Sequence, residues 1–85
     1  MMDFAQCRAG RAMLGWSQDR LAELSHVNKK TVADFERGVR QPYERTLRDL
    51  RETMESAGVL FIDDGAASDV GGGPGVRLRS TPSVD

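Results

Sequence analysis

The sequence predicts a mainly α fold, with four helices followed by a short C-terminal β-hairpin or strand extension. Three observations carry this prediction. Ser17 and Asn28 both stand as helix N-caps, each with an apolar residue before it and another four residues after it. Leu47, Leu50, Met54 and Ala57 recur at helical spacing within a highly charged segment. After Gly58 the sequence turns to β-prone residues and glycine.

The first helix is expected from about Asp3 to Leu14, with Phe4, Cys7 and Leu14 as its apolar residues and Gly15 as a left-handed stop. Gly10 inside it costs about 1 kcal/mol relative to alanine. Ser17 caps the second helix, Asp19 in its first turn suits the macrodipole, and Trp16 and Leu21 have the spacing of a hydrophobic staple. Asn28 caps the third, Val27 and Val32 repeat the staple, Phe35 and Glu36 fall near its end, and Gly38 stops it. Only His26, Val27 and Asn28 separate these two helices, a turn of helix-turn-helix length.

Pro42 sets off a fourth helix from about Glu44 to Ala57. Opposite charges four apart (Glu44 and Arg48, Arg45 and Asp49, Arg48 and Glu52, Arg51 and Glu55) mark its solvated side. Gly58, with Met54 and Val59, predicts a Schellman ending and its apolar contact. Beyond it, "VLFIDD" and "GVRLR" read as two strands joined by a Gly-rich segment, a hairpin with a long mobile loop. An isolated two-stranded hairpin is marginal in water, so either the helices of the same chain or a second copy must cover it. The division expected is 1–58 helical, 59–79 β-extension and possible dimer element, and 80–85 disordered tail.

Eighty-five residues make one small domain, and a net charge of −1 places any nucleic-acid signal in local patches rather than in bulk charge. The acidic excess sits in the last third, where Asp63, Asp64, Asp69 and Asp85 face Arg77 and Arg79. With Cys7 as the single cysteine there is neither a disulfide framework nor a cysteine-based zinc site. The start lacks the apolar core of a signal peptide and no apolar run approaches membrane-spanning length, so a soluble cytoplasmic chain without membrane partners is expected. "GGGPG" (71–75) lacks the Lys-Ser/Thr of a phosphate loop, and one histidine and one cysteine do not build a metal site. Neither an enzyme nor a cofactor is expected.

Lys29 and Lys30 open the third helix at the positive end of its macrodipole, where a cation typically costs about 0.3–1 kcal/mol. A polyanionic ligand would turn this liability into an asset, because DNA supplies the missing negative charge. Solvated surface lysines are the plainer alternative.

The stretch "LGWSQDRLAELSHVNKKTVADFERGVRQP" carries a more specific signal. Gly15, Trp16-Ser17-Gln18, Leu21-Ala22, Val27, Thr31-Val32, Phe35-Glu36, Gly38 and Pro42 follow one another as in the phage-repressor and Cro-like (Xre-type) helix-turn-helix regulators, which the chain resembles from about Phe4 to Ala57. Its last third is similar to members that continue "AGV.FID" and then "GGGPGVRLR". The resemblance implies a four-helix, repressor-like DNA-binding domain. Asn28, Lys29, Lys30 and Asp34 match positions that face the major groove, where lysine donates to guanine and a carboxylate accepts from cytosine. Asp34 is equally placed for an ion pair with Lys30, one turn before it.

By the same resemblance Gln18 bonds a phosphate or is an ordinary first-turn residue, and Thr31 bonds a phosphate or merely fills its turn. Arg37 and Arg40 would clamp the backbone, with Arg45 as a further candidate. Arg11 and Glu36 match a structural pair tying the first helix to the recognition helix. His26 departs from the family, which usually has glycine there; histidine tolerates positive φ better than most residues. The function implied is sequence-specific DNA binding in transcriptional control, with double-stranded DNA as partner and a homodimer on paired half-sites. The alternative is an antitoxin or other interaction module that binds a partner protein and autoregulates.

Overall fold

The computed structural model describes residues 2–63 and 73–79. The linking segment and the tail, expected to be mobile and disordered, lie outside the described residues. Four helices come first: α1 (Phe4–Leu14), α2 (Gln18–Ser25), α3 (Lys29–Glu36) and α4 (Glu44–Ser56). Two antiparallel strands follow, β1 (Val59–Ile62) and β2 (Gly75–Leu78), with Val59 opposite Leu78 and Phe61 opposite Val76.

Local chemistry accounts for the helix ends. Asp3 and Gln6 form a reciprocal capping box at the start of α1, and the Ser17 and Asn28 side chains accept from the N–H groups of Arg20 and Lys30. At the end of α1, Gly15 is left-handed (φ 69°), its N–H reaches the Ala12 carbonyl, and the Trp16 N–H reaches that of Arg11. Gly38 (φ 73°) ends α3 in the same way, with N–H bonds from Gly38 to Phe35 and from Val39 to Asp34. Both are complete Schellman motifs. His26 takes the left-handed conformation (φ 60°) at the end of α2, the one non-glycine among the described residues to do so.

The ending of α4 departs from expectation. The Gly58 N–H reaches the Glu55 carbonyl, but the second Schellman bond, from Val59 to Met54, is not made. Val59 already belongs to β1, and the Gly58 carbonyl accepts instead from the Arg79 N–H. Strand pairing wins over the helix cap.

One buried cluster joins all four helices and the hairpin. Cys7, Leu21, Val32, Phe35, Leu47, Leu50 and Met54 pack with Val59 and Phe61, and Trp16, Val27 and Val76 close its margins. The staple residues Trp16 and Val27 thus fix the entry of α2 and α3 against the core. Phe4 does not join it. This ring remains 42% exposed, lying beside Gly38 and beneath the Arg8 guanidinium, 5.3 Å from the ring centre. The polar Gln6 takes the buried position instead, donating its side-chain amide to the carbonyls of Ile62 and Gly75, both at 2.9 Å. It ties the end of the hairpin where β1 stops and β2 begins to α1. Gly10 is buried for a steric reason: a Cβ there would meet the Met54 sulfur at 3.1 Å and the Phe61 ring at 3.4 Å. The hairpin in this single chain therefore lies on its own helices.

Candidate nucleic-acid interface

Glu36 sets the position of α3. Its carboxylate is 1% exposed and receives two bonds from Arg11, Nε to Oε2 at 3.0 Å and Nη2 to Oε1 at 2.8 Å. Gln18 Nε2 donates to Oε1 at 3.0 Å and the Cys7 thiol to Oε2 at 3.2 Å. Arg11 also reaches the Trp16 carbonyl, and Arg8 reaches the backbone carbonyl of Glu36. Burial pushes the Glu36 carboxyl up, but the hydrogen bonds from Arg11, Gln18 and Cys7 and the Arg11 charge outweigh it and hold the group below its ordinary value. Burial and the adjacent Glu36 charge push the Cys7 thiol far up, so it stays a protonated donor. The expected Arg11–Glu36 tie is present, and three further donors complete it.

With its carboxyl end anchored, α3 turns its amino end outward. Asn28, Lys29 and Lys30 are all exposed there. Lys29 Nζ lies 2.9 Å from Asp19 Oδ1 across the two helices, while its side chain stays 59% exposed. Lys30 Nζ is 3.0 Å from Asp34 Oδ2 and its side chain is 78% exposed. Asp34 is held on its other oxygen by Arg37 Nη2 at 2.9 Å. Hydrogen bonds from Lys30 and Arg37, with their charges, keep the Asp34 carboxyl below its ordinary value against the effect of burial. The intrahelical ion pair open at Asp34 is thus formed. Of the lysine pair, neither is covered by the chain.

Gln18 opens α2 with one amide hydrogen spent on Glu36 and a second left over. Thr31, half-buried, faces a cleft of about 260 Å³ formed with Arg40, Gln41, Pro42, Tyr43 and Thr46. The Tyr43 side chain does not cap α4, so among the described residues the first-turn N–H groups of that helix have no side-chain partner beside the cleft. Arg40 is exposed at its rim. Gln41, Tyr43 and Thr46 were not picked out from sequence. The signal available was Pro42, which fixes the turn bringing them back beside α3.

Among the described residues, no group of three or more His, Cys, Asp or Glu side chains stands ready to hold a metal. None of their helices is long and apolar enough to cross a membrane.

Two short helices joined by a three-residue turn, the second anchored at its carboxyl end and exposing cations at its amino end, define a helix-turn-helix DNA-binding protein. The chain matches the Helix-turn-helix family model, of Cro/C1 and Xre-like type, over residues 8–56, and it belongs to that family. It is a DNA-binding regulator of this class. A comparison with curated proteins finds no significant match.

Proposed function

We propose that the chain is a sequence-specific transcriptional regulator that inserts the amino end of α3 into the major groove. The observation carrying this reading is the exposure of Lys29 and Lys30 at that end while Glu36 fixes the other. Asn28, Lys29 and Lys30 read base edges, with lysine donating to guanine O6 and N7. Asp34 orients Lys30 and offers its remaining lone pairs to a cytosine amino group. The spare amide hydrogen of Gln18, the Thr31 hydroxyl, Arg37 and Arg40 hold phosphates. The cleft between Thr31 and Thr46 and the uncapped start of α4 suit a phosphate on the same strand.

One such module covers little DNA, so two copies act on half-sites about one helical turn apart. The protein acts in the cytoplasm and without catalysis. The reading is tested by titrating the labelled protein with duplex DNA and following amide shifts. Shifts concentrated at residues 28–31 and 40–46 support it. Shifts confined to the hairpin contradict it.

A further inference from the structure

Six large apolar side chains stand exposed among the described residues, and three of them fall where α3 gives way to α4. Val39 is 68% exposed and Tyr43 84%, one on either side of Arg40 in the connecting segment. Phe4, 42% exposed, lays its ring against Gly38, the residue before Val39. None of the three belongs to the buried cluster. The Val39 and Arg40 N–H groups both reach the Asp34 carbonyl, so this strip is held against the end of α3 rather than trailing from it. Arg40 and Tyr43 also line the cleft given above to a phosphate, so the strip borders the proposed DNA surface.

The size of the strip decides what it can hold. Its open surface is roughly 350 Å², given the 150–250 Å² that one aromatic side chain can bury. A two-fold contact between two such strips would cover roughly 700 Å², short of the about 1,200 Å² of a stable, specific interface. Arg8, 5.3 Å from the Phe4 ring centre, and Arg40 add like charges on both sides of that contact. Two copies free in solution would therefore not stay together through it. On DNA the balance changes. Half-sites one helical turn apart stand about 34–36 Å from each other, and the described chain measures 35 × 34 × 19 Å between its Cα atoms. Neighbouring copies are then close enough to touch, and phosphates offset the arginines. Shared attachment raises the concentration of one copy about the other to roughly millimolar.

We propose that the strip of Phe4, Val39 and Tyr43 is the contact between two copies of this chain on paired half-sites, and that it forms only on DNA. This rests on the reading of α3 as the groove-reading helix. The chain is then a monomer in solution. It gains its preference for paired sites from a contact too small to hold a free dimer.

The test uses the full chain as wild type, Val39→Ser and Val39→Leu, with thermal melts to show that each folds. Tyr43 is left unvaried because it also lines the cleft. The probes are the duplex that the wild type enriches from a random library and the same duplex with one half-site replaced by unrelated sequence. Sedimentation of the wild type without DNA, at micromolar concentration, should give a monomer. On the paired duplex the second copy should bind about tenfold tighter than a copy binds the single half-site. Val39→Ser should bind the single half-site within about twofold of wild type and lose the gain on the paired one. Val39→Leu, larger and still apolar, should keep or raise that gain. Equal weakening of Val39→Ser on both duplexes would overturn the proposal and make the strip a DNA contact. So would an unchanged gain in Val39→Ser, a wild-type dimer free of DNA, or an enriched duplex with a single half-site. If the wild type enriches no duplex at all, the groove reading itself falls, and the proposal with it.

Discussion

Arg11 and Glu36 meet across the junction of α1 and α3 in a two-bond grip, 2.8 and 3.0 Å long, with the carboxylate almost fully enclosed. Since Glu36 is the last residue of α3, this pair fixes the angle at which the opposite end of that helix leaves the body. Removing one partner strands the other. Arg11→Ala should destabilise the fold by about 3–5 kcal/mol, a large share of what a domain this small possesses. Urea titration of the variant against wild type measures the loss.

The hydrogen bonds and cations around Glu36 and Asp34 make stability acid-sensitive. Glu36 and Asp34 both titrate below their ordinary values of 4.5 and 3.8 in the folded state. Their stabilisation is therefore complete above the unfolded values and is lost as pH falls through the lower folded ones. Melting temperatures should hold from about pH 7 to about pH 5 and then drop steadily toward about pH 3. Glu36→Gln, already weakened at neutral pH, should show a shallower acid decline.

His26 carries a left-handed backbone (φ 60°) where glycine has no Cβ to strain. His26→Gly should raise stability by about 0.5–1 kcal/mol, the relief of strain exceeding the entropy glycine adds to the unfolded chain. A thermal melt of the variant decides it. The substitution leaves the charges of the α3 amino end untouched, so DNA affinity should stay within about twofold.

Arg40 stands apart from the carboxylates that hold Lys29, Lys30 and Arg37. As a backbone clamp it should act on every duplex alike. Arg40→Ala is expected to weaken binding uniformly across sequences and to flatten the salt slope by roughly one unit. Titrations of two unrelated duplexes at several salt concentrations check both points together.

Most of the helical frame was legible in the sequence because its signals are local. Caps at Ser17 and Asn28, stops at Gly15 and Gly38, and the Leu47–Leu50–Met54 stripe each depend on neighbours within one or two turns. The misread parts depend on distant residues. Phe4 has the spacing of a core residue, yet Gln6 takes the buried place because two hairpin carbonyls, 56 and 69 residues away in the chain, need its amide. The Schellman ending at Gly58 gave way to a strand whose partner lies beyond the linking segment.

The candidate site divides similarly. The Lys30–Asp34 pair follows helix spacing and was open to reading. The Lys29–Asp19 pair spans two helices and depends on the turn angle that His26 and Val27 impose, so no periodicity announces it. Lys29 and Lys30, at the positive end of α3, each possess a carboxylate partner in the free protein. Their dipole penalty is offset locally, and their exposure is what remains to argue for a polyanionic ligand.

Selection of binding sites from a random duplex library, run in parallel with the wild type and the Lys29→Ala/Lys30→Ala variant, tests the placement of α3 most directly. The wild type should enrich a short sequence containing guanine, and the variant should lose preference at those guanines while remaining folded. Enrichment of the same sequence by both proteins would contradict it, since the amino end of α3 would then not be reading the DNA.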